Sequence, residues 1–265
     1  MISPLRVGAL VAGLLLCLPI STFAADPAPC PSAKLSPVSL PHVKRALRDN
    51  QELTIIALGS SSTAGFHASD VAHTYPAILQ RELQQALPTS HVAVLNRGVG
   101  GQDATEMLAR LERDVLAVSP TLVIWQVGAN GAMRGMDPDL FKRLVGGGVK
   151  RLEAAGVDVV LMDNQRAPAI LASAKHAKID QALADIAVHH GAALFARGRL
   201  MDLWQQDGYP YADFISDDSL HHNDRGYACV AKALAATILD GLGPDRVIRT
   251  VQSASARIEP GPVSR

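Results

Sequence analysis

A chain of 265 residues with 48% hydrophobic side chains is long enough to bury one α/β core of the larger kind. Its 25 basic and 25 acidic side chains cancel, which removes the electrostatic case for nucleic acid or an anionic membrane as the main partner.

Residues 1–24 read as a secretory signal peptide. Arg6 supplies the charge, Val7 to Ile20 an apolar run too short for a comfortable membrane span, and Thr22-Phe23-Ala24 small residues at the usual cleavage positions. Cleavage after Ala24 predicts an exported protein, periplasmic or secreted, without stable membrane insertion. Arg6 leaves with that segment, so the basic count becomes 25 − 1 = 24 against 25 acidic groups. Two cysteines then remain, Cys30 and Cys229. An oxidising compartment allows them to pair, while the apolar helical setting of Cys229 equally suits a buried free thiol.

Residues 25–40 form a proline-rich leader, since proline excludes regular helix and central strand. A single domain over residues 41–242 follows, opening with a short helix from Pro41 to Asn50. Strands are predicted at Leu53–Leu58, His91–Asn96, Thr121–Val127, Val157–Asp163 and Ala192–Ala196. Helical faces lie between them: Tyr75, Ile78, Leu79, Leu83 and Leu87, then Ala104, Met107, Leu108, Leu111 and Val115, then Phe141, Leu144, Val145, Val149 and Leu152. Further helices cover about Ala174 to His190 and Asp224 to Leu239. This alternation predicts a three-layer α/β/α sandwich around a five-stranded parallel sheet, flavodoxin-like in its winding. Residues 243–265 lose the pattern and read as a flexible C-terminal tail.

Three strand ends gather on one sheet edge, where open α/β folds hold their ligands. They are Gly59-Ser60-Ser61-Ser62-Thr63-Ala64-Gly65, Asn96 to Asp103, and Gly128-Ala129-Asn130-Gly131. Asp218 and His221 stand just before the last helix, capped by Asn223 or Asp224. A serine hydroxyl is a weak nucleophile at neutral pH. It needs an imidazole within hydrogen-bonding reach, held in the right tautomer by a carboxylate. Donors for an oxyanion are available from the Gly101 N–H, the Asn130 side chain and the Ser61 N–H.

These four blocks, in this order, resemble the GDSL/SGNH hydrolase superfamily, with Asn223 and Gly226-Tyr227 continuing the last block. The resemblance spans about Leu53 to Leu239. It implies hydrolysis of acyl esters through a serine acyl-enzyme, without metal or organic cofactor. It places the nucleophile at Ser61, the oxyanion hole at Ser61, Gly101 and Asn130, and the rest of the triad at Asp218 and His221. Ser60 departs from the usual Asp, which is expected to alter loop hydrogen bonding rather than abolish attack. Gly131 stands where many members have Asp, and His222 where Pro is common.

Competing readings of the same residues fail on particular positions. The dinucleotide pattern at Gly98-Val99-Gly100-Gly101 meets Asp103 where a third glycine belongs, and a phosphate loop meets Phe66 in place of lysine. The nucleophile elbow of the larger α/β-hydrolases meets Thr63 at its second glycine. Adjacent histidines point different ways, so His221-His222 and His189-His190 make poor metal pairs, and no metal is expected. His189 and His190 read as solvated residues at a helix end. The expected substrate is a small-molecule or carbohydrate acyl ester, with short acyl groups favoured. An O-acyltransferase on cell-envelope carbohydrate and a silent carbohydrate-binding domain are the alternatives.

Overall fold

The computed structural model describes residues 29–243. The predicted signal peptide and residues 244–265 of the predicted tail lie outside the described residues. The elements run α1 (Pro41–Arg48), β1 (Leu53–Gly59), α2 (Ser61–Ala64), α3 (Tyr75–Ala86), β2 (Val92–Gly98), α4 (Ala104–Ala109), α5 (Leu111–Asp114) and β3 (Leu122–Gln126). They continue with α6 (Ala129–Met133), α7 (Pro138–Ala154), β4 (Asp158–Met162), α8 (Pro168–Leu171), α9 (His176–His190), β5 (Ala193–Phe195), α10 (Arg197–Gln206) and α11 (Asp224–Leu242).

The five strands form one parallel sheet in the order β2-β1-β3-β4-β5. Successive side chains on a strand point to opposite faces, so each apolar strand feeds two cores. Ile55, Ala57, Leu122, Ile124, Val160 and Met162 pack with α1, α3, α10 and α11 on one face. Ile56, Leu58, Val123, Trp125, Val159 and Leu161 pack with α4, α5, α7 and α9 on the other. All five predicted strands are present, and the three-layer architecture stands. Because β1 lies between β2 and β3, the winding reverses direction there, and a crevice opens at the carboxyl ends of these strands.

Three differences from the sequence reading have physical causes. The predicted helix over Ala104–Val115 is broken between α4 and α5, where Arg110 turns inward and donates from Nη2 to the Gly59 carbonyl (3.1 Å) and from Nε to Gln102 (2.6 Å). Helix α10 was not expected, because its inward face combines Leu200, Met201 and Trp204 with the fully buried Arg197. The thiol left open resolves as a disulfide: Cys30 is bonded to Cys229, with Cα atoms 5.3 Å apart.

That bridge anchors the leader along α11. Val38 and Leu40 are buried in the core, and a side chain at Gly241 would collide with the Val38 carbonyl. Among the described residues, no helix is long and apolar enough to cross a membrane. The bridge closes a sequence separation of 199 residues, and cross-links over long loops remove much unfolded-state entropy. Cys30→Ser is therefore expected to cost about 2–5 kcal/mol of unfolding free energy. Denaturant titration with and without reductant checks this, and unchanged midpoints contradict it.

Candidate active site

Strand β1 ends at Gly59, where a Cβ would crowd the Thr63 side chain and come within 2.8 Å of Gln126 Oε1. Gln126, at the end of β3, accepts there from the Ser60 N–H (3.0 Å), the Ser60 hydroxyl (3.0 Å) and the Thr63 hydroxyl (3.2 Å). Ser60 thus turns into the protein and takes part in the loop's hydrogen bonding, the kind of change that the departure from Asp was expected to bring. Ser62 is also buried, and its oxygen accepts from Gln165 Nε2 at 3.2 Å. Of the three serines, only Ser61 meets an imidazole.

The histidine arrives on a tight turn before α11. Asp218 Oδ1 accepts from Ser216 Oγ (2.5 Å) and from the Leu220 and His221 N–H groups (2.9 Å each). Burial works against the Asp218 charge, yet the hydrogen bonds from Ser216, His221 and the two backbone N–H groups hold its carboxyl well below the usual carboxylate range. The other oxygen, Oδ2, lies 2.5 Å from His221 Nδ1, and His221 Nε2 lies 2.7 Å from Ser61 Oγ. A charged carboxylate only accepts, so Nδ1 carries the hydrogen and Nε2 is the acceptor for the serine proton.

Gly101 and Asn130 sit on the next two loops of the same edge. Gly101 has φ +79°, and its carbonyl accepts from Arg134 Nη2 at 2.7 Å. Asn130 Nδ2 donates to the Gln102 carbonyl at 2.9 Å, so one of its two N–H bonds ties the two loops together. Neither is hydrogen-bonded to Ser61 among the described residues. Ser61 itself opens α2, where the first N–H groups of a helix have no acceptor inside it.

Several residues that the sequence reading did not single out complete the site. Gln165 Nε2, besides holding Ser62, donates to the Leu220 carbonyl at 2.9 Å, linking the serine turn to the histidine turn. His67 presents Nε2 to Asp218 Oδ2 at 3.2 Å and stacks on His221 with ring centroids 5.6 Å apart. Phe66 is half exposed, and its ring centroid lies 5.6 Å from that of His221. The available signals were amides interrupting apolar strand ends and a histidine six residues past Ser61, none of which is specific.

Below the edge lies a buried polar layer. Arg197 donates twice to the Asp163 carbonyl (3.1 and 2.8 Å), and the Gly198 N–H donates to Asp163 Oδ1 at 2.9 Å. Burial pushes Asp163 up to about 7, although the Gly198 bond opposes it. His222 points away from His221, as adjacent histidines were expected to do. It is fully buried and gives its Nδ1 hydrogen to the Phe214 carbonyl at 2.9 Å. His189 is exposed and His190 partly so at the end of α9, which agrees with their predicted solvation.

A model of the Non-GDSL lipase-like family matches residues 27–244. The chain belongs to this family, and with it to the SGNH-type carboxylic-ester hydrolases. It is 25% identical over 182 residues to thioesterase 1/protease 1/lysophospholipase L1 of Escherichia coli (strain K12), covering 69% of this chain and 81% of that one. It is 28% identical over 115 residues to esterase TesA of Pseudomonas aeruginosa, covering 43% and 56% respectively. Among solved structures, a two-domain esterase active on acetylated mannans superimposes with a TM-score of 0.67 at 23% identity, covering 78% of this chain and 55% of that chain. A structure of TesA gives 0.60 at 21% identity, covering 71% and 99%. These structural likenesses establish the fold.

His222 has a consequence for stability. Burial, reinforced by the Arg197 charge, lowers its pKa from 6.5 to about 3. The unfolded chain binds that proton near pH 6.5 while the fold refuses it, so this contribution is whole above about 6.5 and is lost as pH falls toward 3. Asp163 acts in the opposite sense, contributing below its unfolded value of 3.8 and losing that contribution as pH rises toward 7. His222→Asn keeps a donor for Phe214 but takes up no proton. Its unfolding free energy should decline less between pH 7 and pH 4 than the wild type's, and equal declines contradict the assignment.

Proposed function

We propose that this protein is an exported serine esterase that hydrolyses short acyl esters of small molecules or carbohydrates. The observation that carries the reading is the unbroken relay of hydrogen bonds from Asp218 through His221 to Ser61. Ser61 Oγ attacks the acyl carbonyl carbon while His221 Nε2 takes its proton, and the carbonyl π electrons move onto oxygen. The Ser61 and Gly101 N–H groups and the Asn130 amide receive that oxyanion. Collapse breaks the bond to the alcohol, which leaves with the proton from His221. Water, deprotonated by the same imidazole, then releases the acid and restores Ser61. Asp218, whose hydrogen bonds favour its charged form, stabilises the imidazolium in both halves.

Two observations support the finer claims. The Cys30–Cys229 bridge suits an oxidising compartment, in agreement with the N-terminal signal reading. The half-exposed Phe66 ring beside His221 offers the flat apolar surface on which a sugar ring or short acyl chain packs. Among the fold-level relatives, an esterase active on acetylated mannans and an acetyl-xylooligosaccharide esterase favour the carbohydrate-linked version.

Ser61→Ala should lower kcat for a small aryl acetate by about 10⁴-fold or more while the melting curve stays in place. Asn130→Ala should lower it by about 10²–10³-fold. Ser60→Ala and Ser62→Ala should remain active, since their hydroxyls face Gln126 and Gln165. Activity that survives in Ser61→Ala and disappears in either neighbour overturns the assignment. With a sugar acceptor present, the acyl group should still appear as free acid; its transfer to the sugar would instead indicate an acyltransferase.

A further inference from the structure

The esterase mechanism uses His221 and Asp218 but leaves His67 unexplained. His67 lines the outer side of the proposed triad. Its Nε2 is 3.2 Å from Asp218 Oδ2, its Nδ1 is 3.6 Å from Asp217 Oδ1, and its ring lies nearly parallel to His221 at an interplanar angle of 14°. One ligand atom from each of His67, Asp218 and His221 falls within 4.8 Å of the others. Two imidazoles and a carboxylate are the donor set preferred by zinc-class ions rather than by Mg²⁺ or Ca²⁺, which favour oxygen.

We propose that His67, Asp218 and His221 form an inhibitory site for a divalent transition-metal ion of the Zn²⁺ class. The distances explain why occupancy and catalysis exclude each other. Two donors that share a tetrahedral zinc ion at about 2.0–2.2 Å stand roughly 3.4 Å apart. The His67–Asp218 separation of 3.2 Å already meets that requirement. The His221–Asp218 separation of 2.5 Å does not, because a proton and not an ion lies between them. Binding therefore opens this hydrogen bond, replaces the Nδ1 proton, which passes to solvent, and draws the imidazole out of its catalytic position. The half-exposed His67 leaves the outer side accessible to the ion, and water completes the coordination. The ion is an inhibitor and takes no part in the reaction, so a metal-free esterase and this site are compatible.

The inhibitory half of the proposal rests on the serine-esterase reading, and the binding half does not. The test uses chelator-treated protein, with Zn²⁺ titrated into aryl acetate hydrolysis and Co²⁺ titrated as an optical probe. His67→Phe retains a ring against His221 but supplies no ligand. The wild type should lose activity as Zn²⁺ rises and show the intense visible bands of four-coordinate Co²⁺. In His67→Phe and His67→Ala the inhibition constant should rise by about tenfold or more, with the bands lost. Ser61→Ala should retain the bands although it cannot hydrolyse the ester, so the site can be read even if the esterase assignment fails. Mg²⁺ at the same concentrations should not inhibit. Equal Zn²⁺ inhibition in wild type and both His67 variants, or no Co²⁺ bands in the wild type, would overturn the proposal and leave His67 as a hydrogen-bonding neighbour of Asp218.

Discussion

The hydrogen bond between His221 Nε2 and Ser61 Oγ joins residues 160 positions apart, and the rest of the site depends on it. Neither turn carries this contact alone. The serine turn hangs from β1, and the histidine turn hangs from the start of α11, which packs against α3. The pairing tolerates little displacement, because a hydrogen bond weakens steeply beyond about 3.5 Å. What the fold must supply is registration between these two elements.

That registration has several independent ties. The Tyr227 hydroxyl donates to the Phe66 carbonyl at 2.7 Å, and Asp224 Oδ1 accepts from the Ser69 N–H at 2.8 Å, both from α11 to the loop after Ser61. Gln165, at the end of β4, grips Ser62 and Leu220 together. In the second turn of the same helix, the leader is bonded to α11 through Cys30 and Cys229. Buried polar groups cost stability unless each finds a partner, so a layer of this kind is retained where positional specificity matters. Gln126, Gln165, Arg110 and Arg197 fit that description: each is buried, and each holds backbone or side-chain atoms at the carboxyl edge of the sheet.

Much of this was legible in the chain before any coordinates. Strands buried on both faces are continuous apolar runs, and the runs ending at Leu58, Asn96 and Val127 were bounded by glycine-containing loops. The residues proposed as the triad could be picked out because their chemistry restricts them to few types at few places. The less legible features depended on tertiary contacts. Whether Cys229 meets Cys30 depends on where a proline-rich leader settles. Helix α10 hides behind a buried arginine, which counts as polar in any periodicity. The break at Arg110 arises because its guanidinium reaches Gly59, 51 residues away. His67 has no specific sequence signal, since its partner Asp218 is brought to it only by the fold.

Covalent labelling shows directly whether His221 activates Ser61. The protein is treated with a fluorophosphonate, digested, and the modified residue located by mass spectrometry. The account predicts a single adduct at Ser61 in the wild type and a far slower reaction in His221→Ala. An adduct at Ser60 or Ser62, or labelling at Ser61 that proceeds equally fast without the imidazole, would contradict it.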